Sequence, residues 1–211
     1  TPVLITVTVN PLPQIYGATN YPDLCSGGTT PISFSTPDPA TVFNWTVNPV
    51  GVNGASAGSV TGSTLNINQI LTTTSSTVGY VDYIITPSLN NCPGTTVTVR
   101  ITVNPLPLPT LEDGTLCIDE TTGVVFKTYT LNAGLDPAIY DFVWYFNTVA
   151  QTGSNTPTFL AEVAGTYAVI ATNTATGCEA APVLATVDFV SPATSLTGGF
   201  QLPFLFYNLL P

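Results

Sequence analysis

The sequence predicts an all-β protein built as two tandem sandwich domains, on three observations. Thr8-Val9-Asn10-Pro11-Leu12-Pro13 returns as Thr102-Val103-Asn104-Pro105-Leu106-Pro107. An alternating β-branched strand running into Asn-Pro-x-Pro, said twice, marks serial β-domains joined by short stiff links. A weaker third copy, Pro182-Val183-Leu184-Ala185-Thr186-Val187, echoes Pro2 to Val7. The chain has 211 residues, so each repeat has about the 100 residues that a sandwich needs to bury one core. No stretch shows a helical period with capping residues, whereas Val, Ile, Tyr and Phe alternate with Thr, Ser and Asn.

In chain order, residues 3–9 alternate and form a strand with two readings. It is either the closing strand of a preceding domain, residues 1–10, or the first strand of the domain that follows. An exposed edge of this kind seeks a partner, so pairing with a neighbouring molecule is a third use. The first domain spans 11–104, with strands expected at 32–35, 42–47, 65–70, 78–86 and 95–103. The second spans 105–190, with strands at 124–131, 141–146, 158–161, 165–173 and 182–190. Clusters of Gly, Asn, Ser and Pro between them mark the turns.

Trp45 and Trp144 stand in equivalent aromatic strands, Phe43-Asn44-Trp45 and Phe142-Val143-Trp144-Tyr145-Phe146. Alternation puts Phe142 and Trp144 on one face, with Val143 and Tyr145 on the other. A large aromatic on a central strand is the expected core plug of an immunoglobulin-like sandwich. Each tryptophan lies between two cysteines: Cys25 and Cys92, then Cys117 and Cys178. Four cysteines allow three connectivities, and pairing within each repeat, Cys25 to Cys92 and Cys117 to Cys178, is the economical one. With no His and no Cys-x-x-Cys, a zinc site is disfavoured. Structural disulfides imply an oxidising, extracytoplasmic location.

Charge excludes some partners. Arg100 and Lys127 are the only basic side chains against 12 acidic ones, for a net charge of -10. Nucleic acid needs a Lys/Arg footprint, and anionic membrane surfaces need the same. The run Phe200 to Leu210 is interrupted by Pro203 and is far short of the roughly 20 apolar residues of a membrane span. No membrane insertion is therefore expected. Phe200, Phe204, Phe206 and Tyr207 make residues 191–211 an apolar tail or the start of a further domain, with docking on a partner as the alternative. No secretion signal opens the sequence, so either one has been removed or this is part of a longer chain.

Catalysis is not expected. Without His there is no Ser-His-Asp or Cys-His arrangement, and no carboxylate spacing selects a hydrolytic pair. Calcium is the one cofactor to weigh, because Glu112, Asp113, Asp119 and Glu120 crowd the start of the second domain. They lack the ordered spacing of a calcium loop, and a solvated acidic loop is the preferred reading.

Several of these segments resemble a known family. Leu24-Cys25-Ser26-Gly27-Gly28-Thr29-Thr30, Phe43-Asn44-Trp45-Thr46-Val47, Gly51 to Gly58, Leu65 to Thr74, and Tyr83 to Pro87 with Asn91-Cys92-Pro93-Gly94 resemble the PKD-like repeat of Bacteroidetes surface proteins. Cys117-Ile118-Asp119, Gly165 to Asn173 and Thr176-Gly177-Cys178 resemble the immunoglobulin-like repeats beside them. The resemblance implies a secreted adhesin displayed on the bacterial outer surface, exported by the type IX secretion system, as in gliding motility. The expected function is a non-enzymatic repeat segment that extends and presents adhesive elements. Its partners would be neighbouring domains, other subunits, or an extracellular surface or polysaccharide met by the loops 53–61 or 151–156. The alternatives are a self-assembling filament subunit using strand or tail exchange, and spacer modules of a secreted enzyme.

Overall fold

The computed structural model describes residue 3 and residues 12–119 and 122–190. Among them every regular element is a strand, and none is a helix long and apolar enough to cross a membrane. The chain forms two compact units. The first takes the described residues through Leu108 together with Asp136–Asp141 and Ala171–Ala181. The second takes Pro109–Leu135, Phe142–Ile170 and the described residues from Pro182 on.

In the first unit, one sheet runs in the order Leu24–Cys25, Val97–Asn104, Gly79–Leu89, Val42–Val50 and Gly58–Thr61, with Cys92–Pro93 pairing off Gly79–Leu89. Two three-stranded sheets complete it: Tyr16–Gly17, Ile32–Ser35 and Thr64–Ile67; then Gly28–Thr29, Ile70–Thr73 and Val52–Asn53. Residues of all three sheets share one core. Strand alternation supplies Val81, Tyr83, Ile85, Val99 and Ile101 from the large sheet, and Ile32, Phe34, Leu65 and Ile67 from a smaller one.

Polar groups inside this core are all paired. The buried Tyr83 hydroxyl donates to Gln69 Oε1 at 2.8 Å, and burial pushes its pKa up to about 12. Thr30 Oγ1 donates to Ile67 O at 2.6 Å and accepts from Gln69 N at 2.9 Å. Thr30 thus ties together the two ends of the break between Thr64–Ile67 and Ile70–Thr73.

The second repeat follows the same plan with different details. One sheet has the order Val125–Lys127, Gly114–Ile118, Val183–Val190, Gly165–Asn173, Tyr140–Phe146 and Val149–Ala150. A second sheet pairs Tyr129–Asn132 with Thr158–Ala161. Trp144 contacts Phe159, which contacts Tyr167, with ring centroids 5.5 and 5.7 Å apart. The Tyr167 hydroxyl donates to Val163 O at 2.7 Å, four residues upstream. Such a tyrosine corner is a mark of immunoglobulin-like sandwiches. The fold is therefore all-β, in two tandem immunoglobulin-like, PKD-like sandwiches.

Two expected strands are broken. The run expected at 65–70 divides into Thr64–Ile67, paired with Ile32–Ser35, and Ile70–Thr73, paired with Gly28–Thr29. The run expected at 124–131 divides at Thr128, since Val125–Lys127 pairs with Gly114–Ile118 and Tyr129–Asn132 with Thr158–Ala161. In both places the chain changes sheets, and side-chain alternation carries no record of which strand supplies the backbone partner.

The expected disulfides are corrected as well. The bond formed is Cys25–Cys178, with Cα atoms 5.5 Å apart, while Cys92 and Cys117 are free thiols. In the first repeat the register explains why Cys25 does not meet Cys92. Cys25 pairs with Asn104, next to the Val103↔Gly79 pair, whereas Cys92 pairs with Leu89 at the other end of the Gly79–Leu89 strand. About ten residues at roughly 3.3 Å each separate those ends, and a disulfide needs Cα atoms within about 7 Å.

Candidate functional site

The chemistry of this chain is concentrated at its cysteines, each held by local structure. Cys25 ends the Leu24–Cys25 strand, which runs parallel to Val97–Asn104 and is half-buried. A turn follows at once: Ser26 N donates to Asn104 O at 2.8 Å, and Gly27 N donates to Leu71 O at 2.7 Å. Gly27 has φ of +94°, a conformation open to glycine. Cys178 is fully buried at the close of a tight loop. Asn173 Oδ1 accepts from Ala175 N and Thr176 N, Gly177 N donates to Asn173 O, and Asn173 N donates to Cys178 O at 2.9 Å. Asn prefers such self-capped turns because its side chain mimics the next backbone carbonyl.

The free thiols occupy different places in their repeats. Cys92 returns from the Asn90-Asn91 turn, where φ is 50° and 63°, and pairs with Leu89. Two positive φ values in a two-residue loop are those of a type I′ hairpin. Cys117 lies on Gly114–Ile118, which runs parallel to the closing strand with Cys117 opposite Val190. Both thiols are half-buried.

The two tryptophans differ in depth. Trp144 has no exposed surface, and its Nε1 donates to Thr156 O at 2.9 Å. Trp45 is half-buried against the core, with Nε1 donating to Ser56 O at 3.0 Å. Its ring lies over its cross-strand partner Gly58, where a Cβ would come within 2.3 Å of the indole. Gln69 and Ser56 complete a network that reaches from Trp45 to Tyr83: Ser56 N donates to Gln69 Oε1, and Gln69 Nε2 donates to Ser56 O. Sequence reasoning missed this network because its members are far apart in the chain.

The acidic candidates are turned to structural use. Asp113 Oδ1 accepts from Thr186 N at 2.7 Å, and Asp119 Oδ1 accepts from Thr122 N at 3.0 Å. Among the described residues Glu112, Asp113 and Asp119 belong to no group of three metal-ligating side chains. Glu120, the strand expected over residues 3–9, and Phe200, Phe204, Phe206 and Tyr207 lie outside the described residues, Val3 excepted.

The loops considered for sugar binding serve their own repeats. In the 151–156 loop, Gln151 N donates to Trp144 O, Asn155 Oδ1 accepts from Phe142 N, and Thr156 O receives the Trp144 indole. An open groove of about 690 Å³ lies on the second unit, lined by Tyr145, Asn147, Thr148, Thr166, Ala168, Ile170, Pro182 and Leu184. It holds no ionisable acid or base apart from the Tyr145 phenol, so it suits packing better than reaction chemistry.

None of the curated proteins matches this chain. Among solved structures it is similar to the tandem Ig repeats of Dlar, at 14% identity and TM-score 0.30, covering 85% of this chain and 98% of that one. The crystal structure of DIP-gamma IG1+IG2 gives 12% identity and TM-score 0.35, covering 85% and 98%. SGBP-B of a Bacteroides ovatus mixed-linkage glucan utilization locus, in complex with a mixed-linkage heptasaccharide, gives 14% identity and TM-score 0.30, and this chain spans 48% of its length. Likenesses this loose carry no argument about function. Residues 23–107, from just before Cys25 through the Pro-x-Pro link, match the PKD-like domain.

Proposed function

We propose that this chain is a load-bearing repeat segment of a secreted cell-surface adhesin, which extends and presents adhesive elements and performs no catalysis. The observation that carries the reading is the Cys25–Cys178 bond, which joins the first sequence repeat covalently to the second. A link of this kind is useful to a chain under tension, since it withholds all the residues between its ends from extension. The hydrogen-bonded loops and the fully paired buried side chains of the described residues agree with a structural module. The motif resemblance set out above supports export by the type IX system and display at a bacterial outer surface, with gliding motility as a setting.

The test uses the cells that make the parent protein. Antibodies raised against residues 12–190 are expected to label intact cells and to reduce their attachment to a surface. Labelling only after lysis, or attachment unchanged with the epitope saturated, overturns the reading. Loss of a hydrolytic activity from the secreted fraction on deleting 11–190, with attachment intact, favours the enzyme-spacer alternative.

A further inference from the structure

The two cysteines of each repeat lie at opposite ends of it. The Cys25-type position stands beside the last residue of the closing strand: Cys25 opposite Asn104, and Cys117 opposite Val190. The Cys92-type position stands on the turn that precedes the closing strand: Cys92 opposite Leu89, and Cys178 closing the loop on Asn173. In the first repeat that turn is also where the chain arrives, since a Cβ on Gly94 would come within 2.7 Å of Pro13 O. Each repeat thus carries one cysteine at its leading end and one at its trailing end.

The one bond present joins a trailing cysteine, Cys25 of the first repeat, to a leading cysteine, Cys178 of the next. The two thiols left over are a leading one, Cys92, and a trailing one, Cys117. They are what that rule leaves when a series is counted over two repeats. The geometry points to Cys92 and Cys117 as half-sites for the same covalent link, Cys92 to the trailing cysteine of a preceding repeat and Cys117 to the leading cysteine of a following one. Repeats of this type are then stapled in register along the whole array, each to the next, with no disulfide inside any single sandwich. A second copy of this chain carries both complements, so Cys117 of one copy joins Cys92 of another.

Formation of the link is thiol–disulfide exchange with a small disulfide oxidant. Two S–H bonds break and one S–S bond forms, the two electrons reduce the oxidant's disulfide, and its two sulfurs leave as thiols carrying the two protons. The inference rests on the tandem-array reading above. The tests are independent: the antibody experiment reports surface display whether or not the thiols couple, and coupling is read on purified protein.

The experiment incubates the purified full chain with oxidised glutathione at rising protein concentration and maps disulfides by mass spectrometry after non-reducing digestion. The wild type is expected to form a ladder of oligomers with Cys92–Cys117 peptides between chains. Cys92→Ser alone and Cys117→Ser alone are expected to remain monomers, and their mixture is expected to stop at the dimer. Retention of the Cys25–Cys178 peptide in each variant verifies its fold. Dimerisation of either single variant alone shows unselective coupling and overturns the proposal. So does a wild type whose thiols end only as glutathione adducts at every concentration.

Discussion

Trp45 and Trp144 sit on matching strands of the two repeats, and each gives its indole N–H to a backbone carbonyl in the loop that follows. Only Trp144 is fully buried. In the second repeat the opposing Thr158–Ala161 strand brings Phe159 against the indole, and Tyr167 closes the cluster. In the first repeat Phe43 and Tyr83 are fully buried instead, and Trp45 spreads over Gly58 within its own sheet. The strand that carries a tryptophan decides which way it points, and the neighbours decide how deep it goes. A recurring pattern can therefore be a keystone in one repeat and a cover in the other.

The largest expected effect follows from that difference. Trp144→Ala empties a closed cluster and is expected to cost about 3–5 kcal/mol in urea unfolding followed by circular dichroism, against about 1–2 kcal/mol for Trp45→Ala. Equal losses would remove the distinction between keystone and cover. The spectra of Trp45→Phe and Trp144→Phe sharpen it, because Trp144 alone should emit to the blue of Trp45 alone.

Next in size is the covalent tie. Cys178→Ser is expected to lower stability by about 2–4 kcal/mol. Cys25→Ser and the double variant should match it, since all three remove one bond; a further loss in the double variant would give the thiols separate roles.

The tyrosines of the two repeats supply a pH test. Burial raises both the Tyr83 and the Tyr167 pKa, Tyr83 to about 12 from an ordinary 10.0. The unfolded chain therefore loses the Tyr83 proton first. This contribution is complete below pH 10 and is lost as pH rises through about 12, a change of about 2–3 kcal/mol. Tyr83→Phe should flatten much of the alkaline limb of stability against pH, and an unchanged limb would show that Tyr83 is not its source.

A smaller effect belongs to the first repeat. Arg100 Nε and Nη2 donate to the two Asp82 oxygens at 2.7 and 2.8 Å, and the guanidinium lies 4.0 Å from the Tyr80 ring centroid. The Arg100 hydrogen bonds hold the Asp82 carboxyl below its ordinary pKa. Because the Arg100 side chain is 57% exposed, Arg100→Ala should shift the urea midpoint only slightly, and less in high salt. The smallest effect expected is that of calcium. Asp113 and Asp119 already accept backbone N–H groups, so chelator and added calcium should leave the thermal midpoint of this chain unchanged; a rise on adding the ion would assign it a site.

Much of the fold is legible without coordinates. The echoed strand and Asn-Pro-x-Pro link mark the repeats, and period-2 alternation locates strands such as Gly79–Leu89 and Gly165–Asn173. Absence of His and the poverty of Lys and Arg narrow the chemistry. These features are local, written in the order of neighbouring side chains, and a strand's alternation is a property of its own backbone. The strands Leu24–Cys25 and Cys92–Pro93 escape such reading because two residues establish no period, and Gly58–Thr61 escapes it because Gly-Ser-Val-Thr shows no apolar alternation and buries no side chain fully. The chain's changes of sheet at Asn68-Gln69 and at Thr128, the depth of Trp45, and the Tyr83–Gln69–Ser56 network depend on which distant backbone lies alongside. The cysteine pairing depends on it most. Sequence order places Cys25 and Cys92 at the two ends of one repeat, and only the register of Gly79–Leu89 against Val97–Asn104 shows that those ends are held apart by the length of a strand.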